Sequence, residues 1–226
     1  MIIGLTGAAR SGKSTAADIL VDLTRWHAVQ MQIAAPIKAY CRDVFDWTVE
    51  HTDGALKDVP DKRYPRTCPK CRGEGTHMEG FGGPDVKCYP CGGKGYHDLT
   101  PRHAMQQLGG EFAEATYPPT YAVAAARAAQ KREAEGDVAI ITDCRFVRDL
   151  QAIHDVGGVI IQLHRGEDDN LIGTASQHGS EVARKTPEFQ ALVDHHVHNN
   201  GTLKELRLAL TLILVTLRGS RSYPYP

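Results

Sequence analysis

The sequence predicts an α/β fold of three layers, in which a mostly parallel sheet lies between helices, together with a small inserted module. Three observations support this prediction. Apolar strand-like runs alternate with helical patterns, the first run leads directly into a glycine-rich turn, and two cysteine pairs fall in a segment without apolar periodicity. The 226 residues are enough for one substantial core and one small module.

Strands and helices are expected to alternate on either side of a polar middle segment. Apolar runs predict strands at residues 1–6, 29–33, 137–142, 159–163 and 197–198. Helical spacing predicts helices at residues 14–26, 35–45, 121–134 and 150–155, and a buried final helix around 206–217. Thr100-Pro101 and Thr202 are typical helix starts. We therefore expect a core made of residues 1–59 and 98–226, interrupted by an insert at residues 60–97.

The composition is that of an ordinary globular protein, with 42% apolar and 23% charged residues. A formal net charge of −1 argues against a general nucleic-acid binder, although it leaves a local basic cleft open. The most apolar run, at 206–217, is too short for a membrane span and contains Arg207. Because no basic leader precedes the first apolar run, we expect no signal peptide and a reducing cytoplasmic location. A homodimer is left open.

Residues 7–14 read Gly-Ala-Ala-Arg-Ser-Gly-Lys-Ser, a complete G-x-x-x-x-G-K-[ST] phosphate loop, or P-loop, between a strand and a helix. Its glycines allow successive backbone N–H groups to point at phosphate oxygens, and the helix adds the positive end of its dipole. Lys13 would reach the β- and γ-phosphates, and the Ser14 hydroxyl would hold Mg²⁺. The loop predicts ATP binding by Gly7, Ala9, Arg10, Ser11, Gly12, Lys13, Ser14 and Thr15.

Charged residues follow two of the later predicted strands. Asp143 ends an apolar strand, where P-loop folds place a carboxylate beside the metal; the alternative is that it caps the next segment. Arg145 could then bind an acceptor phosphate in a bidentate manner. Arg165 follows the 159–163 strand and could close over the phosphates within a lid at about 165–180, or could simply be solvated. No general base is required, because positioning and charge neutralisation dominate phosphoryl transfer.

The six cysteines divide into two close pairs and two single residues. The single residues, Cys41 and Cys144, are expected to be ordinary buried thiols. Four thiolates fill a tetrahedral shell, so a zinc ion bound by both pairs is expected to be structural. The C-x₂-C-x₁₆-C-x₂-C pattern that predicts this zinc knuckle is formed by Cys68, Cys71, Cys88 and Cys91.

Each cysteine pair continues into the same glycine spacing. The two resulting copies of C-x-x-C-x-G-x-G resemble half of the four-repeat DnaJ-type zinc domain. The sequence leaves open whether the knuckle covers an acceptor site or binds a partner. A second cluster of possible ligands, His195, His196 and His198, lacks a supporting carboxylate or cysteine pattern, so we expect no second metal site there.

Several segments, in their order and spacing, resemble the deoxynucleoside monophosphate kinase family of tailed phages. Besides the P-loop, the matching segments are Ala-Ala-Pro-Ile-Lys at 34–38, Thr-Pro-Arg at 100–102 with Gln-Leu-Gly-Gly-Glu at 107–111, Thr-Asp-Cys-Arg-Phe at 142–146, His-Gly-Ser-Glu at 178–181 and Asn-Asn-Gly-Thr at 199–202. The resemblance implies a P-loop kinase that uses ATP and Mg²⁺ to convert deoxynucleoside 5′-monophosphates to diphosphates, in the host cytoplasm if the chain is phage-encoded.

The resemblance also implies roles for individual residues. It places Asp143 beside Mg²⁺, Arg165 in the lid and Asn200 at the ATP site. Around the acceptor nucleotide it places Lys38, Arg102, Gln106, Gln107, Glu111 and Arg145. Gly110 stands where the family has threonine and Cys144 where it has valine, and the insert interrupts the acceptor side. Base preference is therefore the least transferable property.

Two other functions fit parts of the sequence. Dephospho-CoA kinases begin with a similar strand and P-loop and also contain an N-x-G-[ST] segment, so a kinase for another small molecule is one alternative. The other is a P-loop nucleotide-binding module whose zinc knuckle engages a partner. The Thr100-Pro-Arg102 block and the Asp143-Cys-Arg145 segment favour the monophosphate kinase.

Overall fold

A computed structural model of the chain describes residues 1–25, 27–79, 83–166 and 179–220; at 179–181 and 220 it describes only the backbone. The strands in chain order are β1 (Ile2–Gly7), β2 (Ala28–Met31), β3 (Asp61–Thr67), β4 (Thr76–Met78), β5 (Asp85–Lys87), β6 (Tyr96–Leu99), β7 (Val138–Ile141), β8 (Val159–His164) and β9 (His195–His198).

The α-helices in chain order are α1 (Lys13–Leu23), α2 (Ala35–Phe45), α3 (Val49–Thr52), α4 (Pro101–Gln107), α5 (Ala113–Thr116), α6 (Thr120–Ala134), α7 (Val147–His154), α8 (Gly179–Arg184), α9 (Pro187–Ala191) and α10 (Leu203–Ser220). A 3₁₀ helix spans Ala55–Asp58, and a π-helical turn spans Leu108–Phe112. The chain divides into two units: unit 1 contains Met1–Ala35 and Thr116–Pro226, and unit 2 contains Pro36–Ala115.

Unit 1 is built on a five-stranded sheet in the order β2-β7-β1-β8-β9, and every neighbouring pair is parallel. Side chains alternate along each strand, so both faces carry apolar residues. One face buries Ile3 and Leu5 against α1 and α10, and the other buries Ile2 and Ile160 against α6 and α7. Complete burial of such a side chain stabilises the fold by about 1.5–3 kcal/mol. The predicted three-layer α/β/α arrangement with a parallel sheet is confirmed.

The predicted helix boundaries shift where side chains bind the backbone. The first helix was expected to reach residue 26, but α1 ends at Leu23, and Thr24 places its hydroxyl 2.8 Å from the carbonyl oxygen of Val21. Trp26, the last residue of the predicted helix, lies outside the described residues. The helix expected to begin at Leu150 begins earlier, since Asp149 accepts a hydrogen bond from the Phe146 N–H at 2.9 Å and caps α7.

The last helix, α10, is buried on one face only. Leu206, Leu210 and Leu214 belong to the core of unit 1, whereas Leu208 and Leu212 are about 60% exposed (59% and 60%). The buried final helix expected around 206–217 is present, but only one of its faces is buried, because apolar residues occur on both faces of α10 and only one face packs on the sheet. In the described part of the chain, no helix combines the length and apolarity needed to cross a membrane.

Unit 2 contains two antiparallel strand pairs, β3–β6 and β4–β5, which the sequence pattern did not predict. An aromatic cluster packs where β3 meets the end of α2. The rings of Phe45 and Trp47 stack with centroids 4.5 Å apart, and Tyr64 meets Phe45 edge-on at 5.1 Å. Trp47 also donates from Nε1 to the Asp61 carboxylate at 2.8 Å. Unit 2 therefore has a small core of its own at the base of the β3–β6 pair.

Candidate active site and metal centre

The P-loop joins the end of β1 to the start of α1 at the carboxyl edge of the parallel sheet. Gly7 has a φ of 143°, and a Cβ there would lie 2.4 Å from the carbonyl oxygen of Leu163 on the adjacent strand β8. Gly12, with a φ of 98°, precedes α1 directly. These two positions accept only glycine without strain, which is why the loop can turn so closely over the sheet.

The loop presents backbone N–H groups and the side chain of Lys13. Among the described residues, none accepts a hydrogen bond from the backbone N–H of Ala9, Arg10 or Gly12. Lys13 donates from Nζ to the carbonyl oxygens of Gly7 at 2.8 Å and Ala8 at 2.6 Å, so its ammonium group lies at the loop. Unsatisfied N–H groups beside an ammonium group and a helix N-terminus fit an anionic phosphate chain.

The hydroxyl-bearing residues of the loop differ in accessibility. Ser14 and Thr15 are exposed in the first turn of α1, whereas Ser11 is buried. The Ser11 hydroxyl has no hydrogen-bond partner among the described residues. Of the three, Ser14 and Thr15 can therefore reach a ligand by their side chains, and Ser11 contributes through its backbone.

A residue that the sequence did not single out supports the P-loop from the turn after β9. Asn199 is buried, and its Nδ2 donates to the carbonyl oxygen of Ser11 at 3.0 Å. Its backbone N–H donates to the carbonyl oxygen of His164 at 2.7 Å. A Cβ on Gly12 would lie 2.3 Å from the Asn199 amide nitrogen, so a side chain at position 12 would collide with Asn199. The only sequence feature that pointed to this region was the Asn-Asn-Gly-Thr segment at 199–202.

Asn200, the predicted ATP ligand of this segment, has a different contact. Its Oδ1 accepts a hydrogen bond from the backbone N–H of Gly166 at 2.6 Å. Arg165, which precedes Gly166, is exposed beyond the end of β8. Of the predicted lid at about 165–180, residues 167–178 lie outside the described residues, as do the side chains of 179 and 180.

Asp143 lies after β7 and binds the connection between β2 and α2. Its two carboxylate oxygens accept hydrogen bonds from the backbone N–H groups of Ile33 at 2.6 Å and Ala34 at 3.1 Å. The carboxylate thus ties two strand ends together and does not cap the following helix. Each carboxylate oxygen has a second lone pair, so Asp143 can still accept from a metal-bound water or bind a cation.

Arg145 is positioned by a buried acid. Asp149, at 5% exposure, accepts hydrogen bonds from the backbone N–H groups of Arg145 at 2.8 Å and Phe146 at 2.9 Å. Burial raises the pKa of Asp149, and these two hydrogen bonds oppose that increase. The Arg145 side chain is exposed. The turn between β7 and α7 is therefore fixed at its backbone and leaves the guanidinium accessible.

Three imidazoles stack at the carboxyl ends of β8 and β9. The ring centroids of His164 lie 5.3 Å from His196 and 5.0 Å from His198, and His164 Nε2 is 3.0 Å from His196 Nδ1. Burial and then the neighbouring imidazoles lower the pKa of His196. His195, predicted with them, pairs in register with Ile161 and so lies on the opposite face.

Two of the predicted acceptor-site cations are paired with carboxylates within unit 2. Lys38 binds Asp53 through Nζ, and Arg102 binds Asp58 through Nε and, at 2.8 Å, through Nη2. The hydrogen bond from Arg102 holds the pKa of Asp58 below its ordinary value. Such exposed pairs contribute little to stability, and an acceptor phosphate could replace the carboxylate in the guanidinium fork.

The remaining predicted acceptor residues lie at a π-helical turn. Gln107 donates from Nε2 to Glu111 Oε1 at 2.9 Å across this turn, and Gln106 is exposed beside it. Gly110 lies within the turn, and a Cβ there would meet no atom within 4 Å. Single π-helical turns occur often at functional sites. The turn thus brings a carboxamide and a carboxylate together at the surface of unit 2.

The four paired cysteines are buried and meet at one point in unit 2. Their sulfurs all lie within 4.8 Å of one another, with 3.8 Å between Cys68 and Cys88 and 3.7 Å between Cys71 and Cys91. Sulfurs around a tetrahedral zinc, with Zn–S bonds of about 2.3 Å, would be about 3.8 Å apart. The geometry is therefore compatible with zinc. Within the described ranges, no other group of three or more such ligands meets this limit.

The two halves of the cysteine cluster, Cys68–Gly75 and Cys88–Gly95, form equivalent hydrogen bonds, and each half donates one to the other. Gly75 and Gly95 each donate a backbone N–H to the second cysteine sulfur of their own pair at 3.3 Å. The backbone N–H of Cys68 donates to the Gly95 carbonyl at 2.9 Å, and that of Cys88 donates to the Gly75 carbonyl at 2.8 Å. N–H groups directed at sulfur stabilise the thiolate form that binds metal.

The two single cysteines are buried, as expected for ordinary thiols. Cys41 is 0% and Cys144 1% exposed, and burial raises the pKa of both. Both residues therefore remain protonated near neutral pH and take no part in the cluster.

Two solved structures show a limited similarity to the chain in their backbone fold. A dephospho-CoA kinase from Campylobacter jejuni has a TM-score of 0.49 at 12% identity, covering 97% of this chain and 98% of that one. A shikimate kinase from Aquifex aeolicus has a TM-score of 0.42 at 12% identity with the same coverage. At these values the similarity does not indicate a substrate. No protein-family model matches the chain, and no curated protein matches it either.

Proposed function

We propose that the chain is an ATP-dependent kinase that phosphorylates deoxynucleoside 5′-monophosphates to diphosphates. The observation that carries the proposal is the P-loop, where Lys13 lies beside backbone N–H groups of Ala9, Arg10 and Gly12 that have no acceptor among the described residues. This loop suits the β- and γ-phosphates of a nucleoside triphosphate. The motif order after the loop favours a monophosphate as acceptor.

The roles of the unit 1 residues follow from charge. Lys13 neutralises the phosphate oxygens on which negative charge increases during transfer. The Asn199 side chain holds the backbone of Ser11, which keeps the loop in the conformation that directs N–H groups at phosphate. Arg165, exposed after β8, would add positive charge from the lid. Positioning and neutralisation together supply the catalysis, so no side chain need act as a general base.

Two residues would hold Mg²⁺, whose chemistry is to neutralise and orient the triphosphate oxygens. Ser14 offers an exposed hydroxyl in the first turn of α1. Asp143 offers a carboxylate that is already oriented by the N–H groups of Ile33 and Ala34. Hard oxygen ligands of this kind are those that Mg²⁺ prefers.

The acceptor would be bound by cations that are now paired with carboxylates or left exposed. Arg102 carries a bidentate carboxylate partner, Asp58, and Arg145 exposes its guanidinium on a fixed turn. A dianionic phosphate offers more charge than a carboxylate to the same fork, so it can compete for Arg102. Gln107 and Glu111 would contact the sugar or base. The zinc ion in the cysteine cluster would be structural, because four thiolates leave no open position.

An acceptor screen tests the proposal. Purified protein is incubated with ATP·Mg²⁺ and each deoxynucleoside monophosphate, with dephospho-CoA as a separate acceptor, and ADP and the phosphorylated product are quantified. We expect turnover with at least one deoxynucleoside monophosphate, and its loss in Lys13→Ala but not in Lys131→Ala, which removes an exposed lysine from α6.

Other outcomes would replace the proposal with one of its alternatives. Turnover of dephospho-CoA alone would assign the chain to a different small-molecule kinase. ATP binding without turnover of any acceptor would favour a nucleotide-binding module with a zinc knuckle for a partner.

A further inference from the structure

One partly buried guanidinium in unit 2 has a buried donor without an acceptor. Arg66 lies on β3, and its Nε is buried with no hydrogen-bond partner among the described residues. No carboxylate in the described ranges forms an ion pair with it either. A buried cationic donor without an acceptor costs free energy, and native structures rarely keep one unless water or a ligand satisfies it.

Other cationic or basic groups surround Arg66. The β3–β6 pair, here called the stalk, places Arg66 directly opposite His97, and opposed residues of an antiparallel pair lie on the same face. Both residues are partly buried, while Pro65 and Thr67 on either side of Arg66 are exposed. The stalk face that carries Arg66 and His97 is thus its inner face.

A third nitrogen-bearing group comes from α4. His103 lies in the first turn of this helix, where its backbone N–H donates to Thr100 Oγ1 at 3.2 Å. Burial lowers the pKa of His103, and the charges of Arg66 and His97 lower it further. His103 is therefore close enough to both for their charges to act on it.

A carboxylate, that of Glu111, also acts on this group. Glu111 raises the pKa of His103 and so lies within electrostatic reach of this imidazole. Its Oε1 is engaged by Gln107 Nε2 at 2.9 Å, and it does not pair with the guanidinium of Arg66 in the described part of the chain. Within the described ranges, Arg66 therefore has no counter-ion.

We propose that Arg66, His97 and His103 form a binding site for a dianionic phosphate group. A phosphate offers three acceptor oxygens, which can take the fork of Arg66 and an N–H from each imidazole. The phosphate could belong to a nucleotide or be free inorganic phosphate, since both present the same oxygens. The site does not depend on the kinase proposal, because it is defined by unsatisfied donors in unit 2.

The proposal gives the cysteine cluster a positioning role. Cys68 follows Arg66 by two residues, and its backbone N–H is fixed to the Gly95 carbonyl at 2.9 Å. The other strand of the stalk leads back from Gly95 to His97. The cluster therefore holds both stalk strands at their far end, and with them the register that sets Arg66 opposite His97.

The test measures binding without turnover. Inorganic phosphate is titrated into the zinc-loaded full chain while the Arg66 Nε–H and the imidazole signals of His97 and His103 are followed by NMR. We expect saturable shifts of all three in the native protein and in Lys62→Gln, which removes an exposed charge from the same strand. Arg66→Gln and His103→Gln should each weaken phosphate binding about tenfold or more.

Comparing the affinity for a deoxynucleoside monophosphate with that for inorganic phosphate identifies the source of the phosphate. Tighter binding of a deoxynucleoside monophosphate than of inorganic phosphate, lost in Arg66→Gln, would assign the site to a nucleotide. Equal affinity for both would assign it to free phosphate. Absence of shifts at Arg66 in the native protein, or equal weakening by Lys62→Gln, would overturn the site even if the kinase is active. Zinc content and circular dichroism confirm that each variant is folded.

Discussion

The side-chain amide of Asn199 donates a hydrogen bond to the carbonyl oxygen of Ser11, which joins the turn after β9 to the P-loop at a distance of 3.0 Å. The two residues are 188 positions apart in the chain. The phosphate site therefore depends on the last strand of the sheet as well as on its own motif, and the sheet must be complete before the loop is held.

Replacing Asn199 with alanine should weaken both the fold and ATP binding. Loss of the donor leaves a buried carbonyl oxygen unsatisfied, so we expect the free energy of unfolding to fall by about 1–3 kcal/mol. The Kd for ATP should rise because the loop is less ordered. Urea denaturation and calorimetric titration measure the two effects. Asn200→Ala is the comparison, because Asn200 is the residue predicted at the ATP site; a larger loss of ATP binding there would contradict the role given to Asn199.

Replacing Arg145 with alanine should affect the acceptor more than ATP. Its guanidinium is exposed on a turn fixed by Asp149, so the change removes a bidentate donor without removing the cap of α7. We expect the KM for the acceptor to rise about tenfold or more, with little change in the KM for ATP. Arg127→Ala, on the exposed side of α6, serves as the control. Similar increases in both KM values would argue against this role.

Metal analysis should find one zinc ion per chain, bound by the four clustered cysteines. Cys71→Ser removes a thiolate that accepts the Gly75 N–H, so it should lose zinc and lower the melting temperature of unit 2. Cys41→Ser changes a buried thiol outside the cluster and should keep full zinc content. A folded, metal-free protein in which the clustered thiols all react with a thiol reagent would refute the zinc site.

Acid should destabilise unit 2 through Asp61. Hydrogen bonds from Arg63 and Trp47 hold the pKa of this carboxyl well below its ordinary value. The unfolded chain therefore binds more protons at low pH, and the contribution of Asp61 is complete above pH 3.8 and lost as pH falls below it. Urea midpoints between pH 2 and 7 should show a shallower acid loss in Asp61→Asn than in Asp46→Asn, which changes an exposed carboxylate. Equal slopes would contradict the assignment.

The P-loop and the core of the sheet could be predicted because their signals are local. Gly7 and Lys13 belong to one short motif, and the buried parallel strands are continuous apolar runs. Pairs that join distant segments were not predictable, since nothing in the sequence near Asp53 or Asp58 indicates that they bind Lys38 and Arg102. The same reason explains why the contact of Asn199 with Ser11 was not predicted.

The strands of unit 2 escaped prediction for a different reason. The stalk is ordered by the aromatic packing of Tyr64 at one end and by the cysteine cluster at the other, with little apolar alternation between them. Two-stranded sheets of this kind bury little apolar surface, so their sequences carry no clear apolar alternation. The cysteine spacing predicted that a cluster would form but gave no information on the strands beneath it.

The exchanged hydrogen bonds of the cysteine cluster make its two halves equivalent under a local twofold axis. A change in one half should then have a counterpart of equal effect in the other. A Cβ on Gly75 would lie 2.4 Å from the Gly93 carbonyl oxygen, and one on Gly95 would lie 2.2 Å from that of Gly73. A difference between Gly75→Ala and Gly95→Ala would thus report what the surrounding residues add, because the exchanged hydrogen bonds are the same in both halves.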